Sequence, residues 1–452
     1  MQPLEKLLAL VDKQRDKVFA AEAYLWSHPQ TGYREWEAHE YMKGRFEELG
    51  YSVVEAGNIP GFIADLDTGR PGPKFCLMSE LDSLICKDHP DARPETGAVH
   101  ACGHCAQSAA MVGIAAALKE SGALDDMCGS IRLMVVPAEE LIETGYRESL
   151  RQQGVIRYMG GKVEFMARGL FDGVDMAMLI HQSTGDGPAL TFSKGCNGCV
   201  VKNIDFVGKA SHAGGAPHLG VNALYAANTA MSVVNSLRET FKDEDHIRFH
   251  PIITEGGQAV NAIPSLVRVE SYVRGASFEA IVDVNQRVNR ALAASAAAYG
   301  ANVHLGDRPG YAPLDNNELM KKAAMEVVAE FLGSENVASS DHWDTGCTDV
   351  GDVSAVIPSI QPYIGGCTGI GHGNNYQVAD PELACLTSAK AQVATAWKLL
   401  KDGAKLGRQV VEESRTRFAS IPEYLAYVDK LTLDKDAVVQ NPDGTITLDF
   451  CN

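Results

Sequence analysis

The segment 99–143 carries the features that decide the fold, and it reads VHACGHCAQSAAMVGIAAALKESGALDDMCGSIRLMVVPAEELIE. Four potential metal ligands crowd into six positions near its start: His100, Cys102, His104 and Cys105. Small residues with helical spacing follow at 108–119, and the apolar run 131–136 predicts a strand that ends shortly before Glu139 and Glu140. Ligand sites of α/β sheets lie beyond the carboxyl ends of strands. The segment therefore predicts an α/β domain with a site at this strand end.

The residue types in this segment suit zinc, which binds thiolate sulfur, imidazole nitrogen and carboxylate oxygen. Cys102, His104 and Glu140 supply one of each. A single His or Cys is nevertheless more often a packed or surface residue than a ligand, and adjacent glutamates commonly lie on a solvated face. From this segment alone, a metal site and a structural loop remain alternatives.

Composition indicates a folded protein that binds neither nucleic acid nor membrane. The 452 residues suffice for two domains, and 45% apolar with 22% charged residues is ordinary for a globular protein. The net charge of −18 opposes an anionic partner surface. Eleven scattered cysteines favour a reducing compartment. We find no signal-peptide pattern and no apolar span long enough for a membrane, so we expect a cytoplasmic protein.

Two further strands are predicted to end on ionisable side chains. The strand 74–79 leads to Glu80 and Asp82, and the strand 174–180 ends on His181. Because carboxyl ends of parallel strands meet at one edge of a sheet, we expect these residues beside the glutamate pair, on one edge of one sheet. Asp82 is interpreted as an orienting partner for a ligand histidine.

The domain organisation predicted from the sequence is one domain with an insertion. Before the first strands, residues 4–50 predict two helices. Residues 196–308 show the order β-α-β-β-α-β of a ferredoxin-like α+β layer. We therefore predict a catalytic domain formed by 1–195 and 309–452, with 196–308 as an inserted lid. The last residues predict a C-terminal extension made of a helix at 421–430 and a short β tail.

The order of several motifs resembles the aminoacylase-type metallopeptidase and amidohydrolase family. These motifs are HACGH, PAEE after a strand, LIH after the next strand, GKASHAGGAPH, NAIP and a late histidine flanked by glycines. The chain is most similar to the branch of hippurate hydrolase, indole-acetyl-amino-acid hydrolase and p-aminobenzoyl-glutamate hydrolase. GCTDVGDVS (346–354) resembles the last group. The resemblance implies a mixed-sheet di-metal aminopeptidase-like domain and a lid that forms a homodimer.

The resemblance also implies roles for individual residues. Glu139 matches the general base, and His212 matches a residue that holds the reacting carbonyl on lid closure. Asn261 and Arg274 match contacts to the substrate's carboxylate end. Two divalent ions, zinc or manganese, are implied, and their ligands are Cys102, His104, Glu140, His181 and His372. The implied reaction is hydrolysis of the amide bond of an N-acyl or N-aroyl amino acid, or of a small dipeptide.

Three positions depart from the pattern of the family. Cys105 and Gln107 stand where the branch usually has Asp and His, and Glu80 stands where more distant relatives have a ligand histidine.

Two other classes of function remain open. One is a hydrolase with Cys102 or Cys105 as nucleophile and His104 as base, and the other is an inactive relative that binds a ligand. The Cys196-x-x-Cys199 pair is interpreted as structural, because no second pair lies at a suitable spacing.

Overall fold

The computed structural model describes residues 3–451, which group into two compact units. Within the described residues, the first comprises 3–195, 315–343 and 352–421, and the second comprises 196–314, 344–351 and 422–451. Each unit has its own apolar core. Within residues 3–451, no helix combines the length and the apolar composition needed to cross a bilayer.

The helices are numbered in chain order. They are α1 Pro3–Asp12, α2 Arg15–Ser27, α3 Trp36–Glu48, α4 His104–Lys119, α5 Thr144–Gln152, α6 Gly161–Ala167, α7 Ala223–Leu237, α8 Phe278–Ala298, α9 Glu318–Leu332, α10 Val350–Ser354, α11 Ser388–Glu413 and α12 Ile421–Val428. The backbone of α11 leaves helical geometry at 401–404, where the helix kinks.

The strands are numbered in the same way. They are β1 Val53–Glu55, β2 Phe62–Asp67, β3 Lys74–Glu80, β4 Leu84–Ile85, β5 Ala98–Val99, β6 Ser130–Val136, β7 Met176–Met178, β8 His181–Gln182, β9 Leu190–Phe192, β10 Gly195–Val207, β11 Arg248–Phe249, β12 Ile252–Glu255, β13 Leu266–Gly275, β14 Asn302–Pro309, β15 Leu314–Asp315, β16 Val337–Ser339, β17 Trp343–Cys347, β18 Ser359–Ile360, β19 Tyr363–Ile364, β20 Cys367–Thr368, β21 Gln377–Val378, β22 Leu433–Asp436, β23 Val438–Gln440 and β24 Ile446–Leu448.

The first unit is built on a mixed six-stranded sheet with the order β1-β2-β6-β3-β7-β18. β6, β3, β7 and β18 run parallel, whereas β1 and β2 are antiparallel to their neighbours. The small residues of α4 are buried along nearly the whole helix, which lets it pack closely on the sheet. This confirms the predicted α/β class with a mixed sheet.

Two local predictions for the first unit were wrong. The amino-terminal region forms three helices rather than two, because the chain also breaks between α1 and α2. His181 does not extend the strand before it, since β7 ends at Met178 and His181 begins β8 in a separate four-stranded sheet. His181 nevertheless stays near the end of β7, because only two residues separate the two strands.

The second unit contains the predicted ferredoxin-like layer. Its sheet has the order β11-β13-β10-β14, with β12 also on β13, and every one of these pairs is antiparallel. α7 and α8 contribute to the same core as these strands. The sequence placed the C-terminal extension with the catalytic domain, but β22 pairs with β14 and so adds a strand to this sheet.

Candidate metal centre

The loop before α4 positions Cys102 and His104 through one glycine. Gly103 has φ +92° and is the residue before the first turn of α4, so a side chain there would be strained. A Cβ atom at Gly103 would also lie 2.5 Å from the hydroxyl oxygen of Tyr376. His104 is the first residue of α4, and its ring is fully buried.

The segment that carries Glu139 and Glu140 is held in an unusual backbone conformation. Ala138 has φ +58°, which is uncommon for a residue with a side chain and occurs where the surrounding structure enforces it. Its N–H donates to the buried Glu35 carboxylate at 2.8 Å. The buried guanidinium of Arg147 donates to the carbonyl oxygens of Ala138 and Glu140. The two glutamates are thus fixed at the end of β6.

The structure brings all five predicted metal ligands together, in two overlapping groups within the first unit. Ligand atoms of Cys102, His104 and His181 lie within 4.8 Å of one another, and so do those of Cys102, Glu140 and His372. Cys102 Sγ lies 3.4 Å from His181 Nε2, and Glu140 Oε1 lies 3.1 Å from His372 Nε2. Cys102 belongs to both groups, as a residue shared by two ions would.

His372 reaches this cluster from a distant part of the chain. It has φ +63°, and its backbone N–H donates to the carbonyl oxygen of Ala101 at 2.8 Å. That hydrogen bond ties the late glycine-rich loop directly to the HACGH loop. The left-handed conformation at a residue with a side chain is the kind of local strain that clusters at functional sites.

Asp82 links the two groups of ligands, as its place at a strand end suggested. Its Oδ1 accepts from Nδ1 of His104 at 3.1 Å, and its Oδ2 accepts from the backbone N–H of Glu140 at 2.8 Å. The backbone oxygen of Asp82 also accepts from the same His104 nitrogen at 2.9 Å. Because Nδ1 carries the proton, Nε2 of His104 is the nitrogen directed to the cluster.

The pKa values within the cluster reflect attraction between its thiol and carboxyl groups on one side and its imidazoles on the other. Burial and Glu140 raise the pKa of the Cys102 thiol, but His181 and His104 outweigh them and lower it to about 6. Burial also raises the pKa of Glu140, yet the hydrogen bond and the charge of His372 bring it to about 2. Hydrogen bonds to Cys102 and Glu140 raise the pKa of His372 to about 11. The thiol and the carboxyl are therefore anionic at neutral pH.

These residues fit a pair of divalent ions. Thiolate, imidazole and carboxylate are the donors that zinc and related ions prefer. The Nε2 atom of His104 is buried and has no hydrogen-bond partner among residues 3–451. A buried polar atom without a partner is costly unless it binds something. The donor set and this atom both point to metal binding.

Glu139 lies beside the ligands. It is 7% exposed, and its Oε2 is 3.9 Å from Nε2 of His104. Together with His104 and Glu140 it forms a third group of potential ligand atoms within 4.8 Å. Its carboxylate is therefore close enough to the ligand cluster to exchange a proton with a molecule bound there.

Sequence reasoning did not single out three buried side chains that support the centre. Glu35 and Arg147 hold the backbone around Ala138, and Lys162 forms an ion pair with Glu80 in which both side chains are fully buried. A lysine or glutamate in a helical pattern is usually solvated. No spacing or motif therefore distinguished these residues before the structure was known.

The departures Cys105 and Gln107 are both buried side chains. Cys105 is 1% exposed, and burial raises the pKa of its thiol, an effect to which Glu22, Cys385 and Cys367 add. Gln107 is also buried, and its side-chain amide has no hydrogen-bond partner among the described residues. Neither residue belongs to any group of potential metal ligands found in residues 3–451.

In the second unit, the loops that carry His212 and Asn261 are joined by backbone hydrogen bonds. Ala213 N–H donates to the Asn261 carbonyl oxygen, and Ile263 N–H donates to the Ser211 carbonyl oxygen, both at 2.9 Å. Both His212 and Asn261 are exposed. The N–H groups of Gly214 and Gly215 donate to His212 Nδ1 at 3.1 and 2.9 Å. His212 Nδ1 is therefore an acceptor, and Nε2 carries the proton.

Arg274 lies in β13 directly opposite Arg248 in β11. Like charges in opposite positions destabilise a strand pair. Neither guanidinium forms an ion pair with a carboxylate in the part of the chain that the structure describes. Burial lowers the pKa of Arg274, but two nearby thiols and two nearby phenols outweigh burial and raise that pKa. The two arginines thus place two positive charges in opposite positions of one strand pair of the second unit.

Comparison with known proteins identifies the family. The model of peptidase family M20/M25/M40 matches residues 76–396, which is most of the chain. The chain belongs to peptidase family M20/M25/M40. It is accordingly a metal-dependent amidohydrolase or peptidase, and this confirms the resemblance seen in its motifs.

Among relatives of this M20 protein, Xaa-Arg dipeptidase of Homo sapiens is 28% identical over 85% of this chain and 86% of its own length. One component of the p-aminobenzoyl-glutamate hydrolase of Escherichia coli is 30% identical over 55% of each chain. A solved dinuclear metal-binding M20 peptidase of Bacillus subtilis is 21% identical, with a TM-score of 0.62 over 87% of this chain and 99% of that one. The structural likeness confirms the fold of a catalytic domain with a lid.

Proposed function

We propose that this M20 member hydrolyses the amide bond of an N-acyl or N-aroyl amino acid, or of a small dipeptide, with Cys102, His104, Glu140, His181 and His372 holding two divalent ions. The observation that carries the proposal is the convergence of these side chains, in two groups that share Cys102. Substrates of this class are named for relatives, including the p-aminobenzoyl-glutamate hydrolase of Escherichia coli and N-acyl-L-amino acid amidohydrolase of Geobacillus stearothermophilus.

Glu139 is the proposed proton carrier. When bound, a pair of divalent ions lowers the pKa of a water molecule and polarises the amide carbonyl. The Glu139 carboxylate accepts the proton of the attacking water and returns it to the leaving nitrogen, which is otherwise a poor leaving group. Its burial at 7% exposure keeps the carboxylate out of bulk water, and the backbone strain at Ala138 fixes its position.

His212 is the proposed hydrogen-bond donor to the oxyanion that develops in the reaction. The two glycine N–H groups that donate to Nδ1 leave the proton on Nε2. A neutral imidazole with a fixed N–H is a good donor to developing negative charge, because it needs no reorganisation when that charge appears. Asn261, on the loop bonded to that of His212, is proposed to contact the carboxylate end of the substrate.

Arg274 is proposed to bind the substrate carboxylate, and this leads to a prediction. Arg274→Lys is expected to raise KM for an N-acyl amino acid by about 10-fold or more, with little change in kcat, because Lys cannot reproduce the bidentate geometry of a guanidinium. Steady-state kinetics with the free acid and with its neutral carboxamide analogue measure the effect. For the carboxamide analogue, Arg274→Lys should change KM only slightly.

The matched control is Arg268→Lys, because Arg268 lies in the same strand but is half-exposed and paired with Asp205 and Glu255. It should leave both kinetic constants near those of the unaltered enzyme. Equal losses for the acid and the carboxamide in Arg274→Lys would contradict a carboxylate-binding role.

Zinc or manganese is the proposed metal, since a mixed sulfur, nitrogen and oxygen donor set accommodates both.

A homodimer through the second unit is also proposed. Its support is a set of apolar side chains on this unit that are more than half exposed: Leu219, Tyr225, Ile252 and Val260. A cytoplasmic location is proposed because all eleven cysteines are free, which suits a reducing compartment.

The test of the proposed function is hydrolysis of a panel of N-acyl amino acids, N-aroyl amino acids and dipeptides before and after chelation. We expect at least one amide to be cleaved, activity to disappear with chelator, and zinc, manganese or cobalt to restore it. The competing cysteine nucleophile predicts activity that survives chelation and is lost on thiol alkylation. Cleavage of esters or lactams without any amide would contradict the substrate class.

A further inference from the structure

The Glu80 side chain lies against the metal centre and has no role in the function proposed above. Its carboxylate is fully buried, and one oxygen, Oε1, accepts from Lys162 Nζ at 2.5 Å. The other oxygen, Oε2, has no hydrogen-bond partner among residues 3–451. It lies 3.2 Å from Nε2 of His104, which likewise has none.

The contact between Glu80 Oε2 and His104 Nε2 is unfavourable unless a positive charge lies close to both atoms. Asp82 accepts the Nδ1 proton of His104, so Nε2 is the ring nitrogen that can present a lone pair to an ion. A carboxylate oxygen is also an acceptor, and the fully buried Glu80 carboxylate is paired with Lys162 through Oε1 alone. Two acceptors at this separation repel each other unless a proton or a metal ion lies beside both.

The separation of the two atoms matches that of two ligands on one ion. Ligands about 2.0–2.2 Å from an ion, at angles between octahedral and tetrahedral, lie roughly 2.8–3.6 Å apart. The pairs Cys102–His181 and Glu140–His372 fall in this range at 3.4 and 3.1 Å. The 3.2 Å between Glu80 and His104 falls there too.

We propose that Glu80 is a sixth metal-binding side chain, whose Oε2 binds the same ion as His104, and that Lys162 orients its carboxylate by holding Oε1. This proposal rests on the two-ion centre of the proposed function. It gives the ion at His104 a carboxylate oxygen in addition to sulfur and nitrogen, which suits manganese as well as zinc.

Lys162 is well placed for an orienting role. Gly161 precedes it at the start of α6, and a Cβ atom there would lie 1.6 Å from the Pro137 carbonyl oxygen. Only glycine therefore lets α6 approach the end of β6 this closely. The approach brings the ammonium group of Lys162 to Glu80, where it is fully buried.

The experiment compares metal binding by the unaltered protein, Glu80→Gln and the control Glu164→Gln. Glu164 is also a buried carboxylate of the first unit, but it holds Arg168 and backbone N–H groups away from the ligands. Metal content after dialysis against graded chelator and the absorption of the cobalt-substituted proteins are the readouts. We expect Glu80→Gln to lower the affinity of the protein for one ion by about 10-fold or more. The second cobalt ion should keep its cobalt–thiolate absorption.

Unchanged affinity for both ions in a folded Glu80→Gln protein would overturn the proposal. A metal-loaded crystal structure of the unaltered protein tests the same geometry without depending on the folding of a variant. Glu80 Oε2 should lie within about 2.5 Å of the ion bound by His104, and a separation too long for coordination would also overturn it. Failure of the unaltered, metal-loaded protein to cleave amides would instead count against the proposed function alone.

Discussion

Replacement of Glu139 by Gln is expected to lower kcat by about 10²- to 10⁴-fold, the usual contribution of a positioned general acid–base group. The amide of Gln is nearly the same size but cannot accept the proton of the attacking water. KM should change little, because Glu139 is not proposed to bind the substrate. Single-turnover and steady-state kinetics measure the loss, and metal analysis should still find two ions per chain.

The matched control for this variant is Glu148→Gln. Glu148 lies nearby in sequence, on α5, where its carboxylate pairs with Arg151. This variant should keep the kcat of the unaltered enzyme. A Glu139→Gln enzyme with nearly full kcat would refute the assignment of the base. Loss of metal together with loss of kcat would mean that Glu139 is a ligand and not the proton carrier.

Replacement of Cys102 by Ser is expected to have the largest effect on metal binding, because Cys102 belongs to both groups of ligands. A serine hydroxyl does not ionise at neutral pH and cannot replace a thiolate between two cations. We expect affinity for both ions to fall by more than the roughly 10- to 100-fold that follows loss of an outer partner. Competition with a metal-sensitive dye measures both affinities.

The control for Cys102→Ser is Cys128→Ser, at a half-buried cysteine that belongs to no group of potential ligands in residues 3–451. It should bind both ions normally. Loss of activity alone would not separate the metal centre from a cysteine nucleophile. Cys102→Ser protein that is inactive but binds two ions with unchanged affinity would favour the nucleophile and contradict a bridging thiolate.

The sequence predicted the position of the candidate site best where a strand or helix lies next to potential ligand residues. The strand before PAEE and the helix after HACGH predicted where Cys102, His104 and Glu140 meet, because strand and helix periodicity is visible locally. His181 and His372 were assigned from the family resemblance. The structure shows how distant loops deliver them, including the hydrogen bond from His372 to Ala101.

Other features depended on tertiary contacts that no local pattern encodes. No sequence pattern distinguished Lys162, yet the close approach of α6 to β6 buries it against Glu80. His181 begins a separate sheet because two residues after β7 redirect the chain. The sequence analysis assigned the C-terminal tail to the catalytic domain, but β22 pairs with the edge strand β14 of the second unit.

The central claim is that Cys102, His104, Glu140, His181 and His372 hold two ions that share the Cys102 sulfur. Anomalous diffraction from crystals of the cobalt-loaded protein tests this claim most directly. The account predicts two peaks, each within about 2.5 Å of Cys102 Sγ, one beside His104 and His181 and the other beside Glu140 and His372. Peaks at other residues, or no peaks in crystals of protein that still cleaves amides, would contradict it.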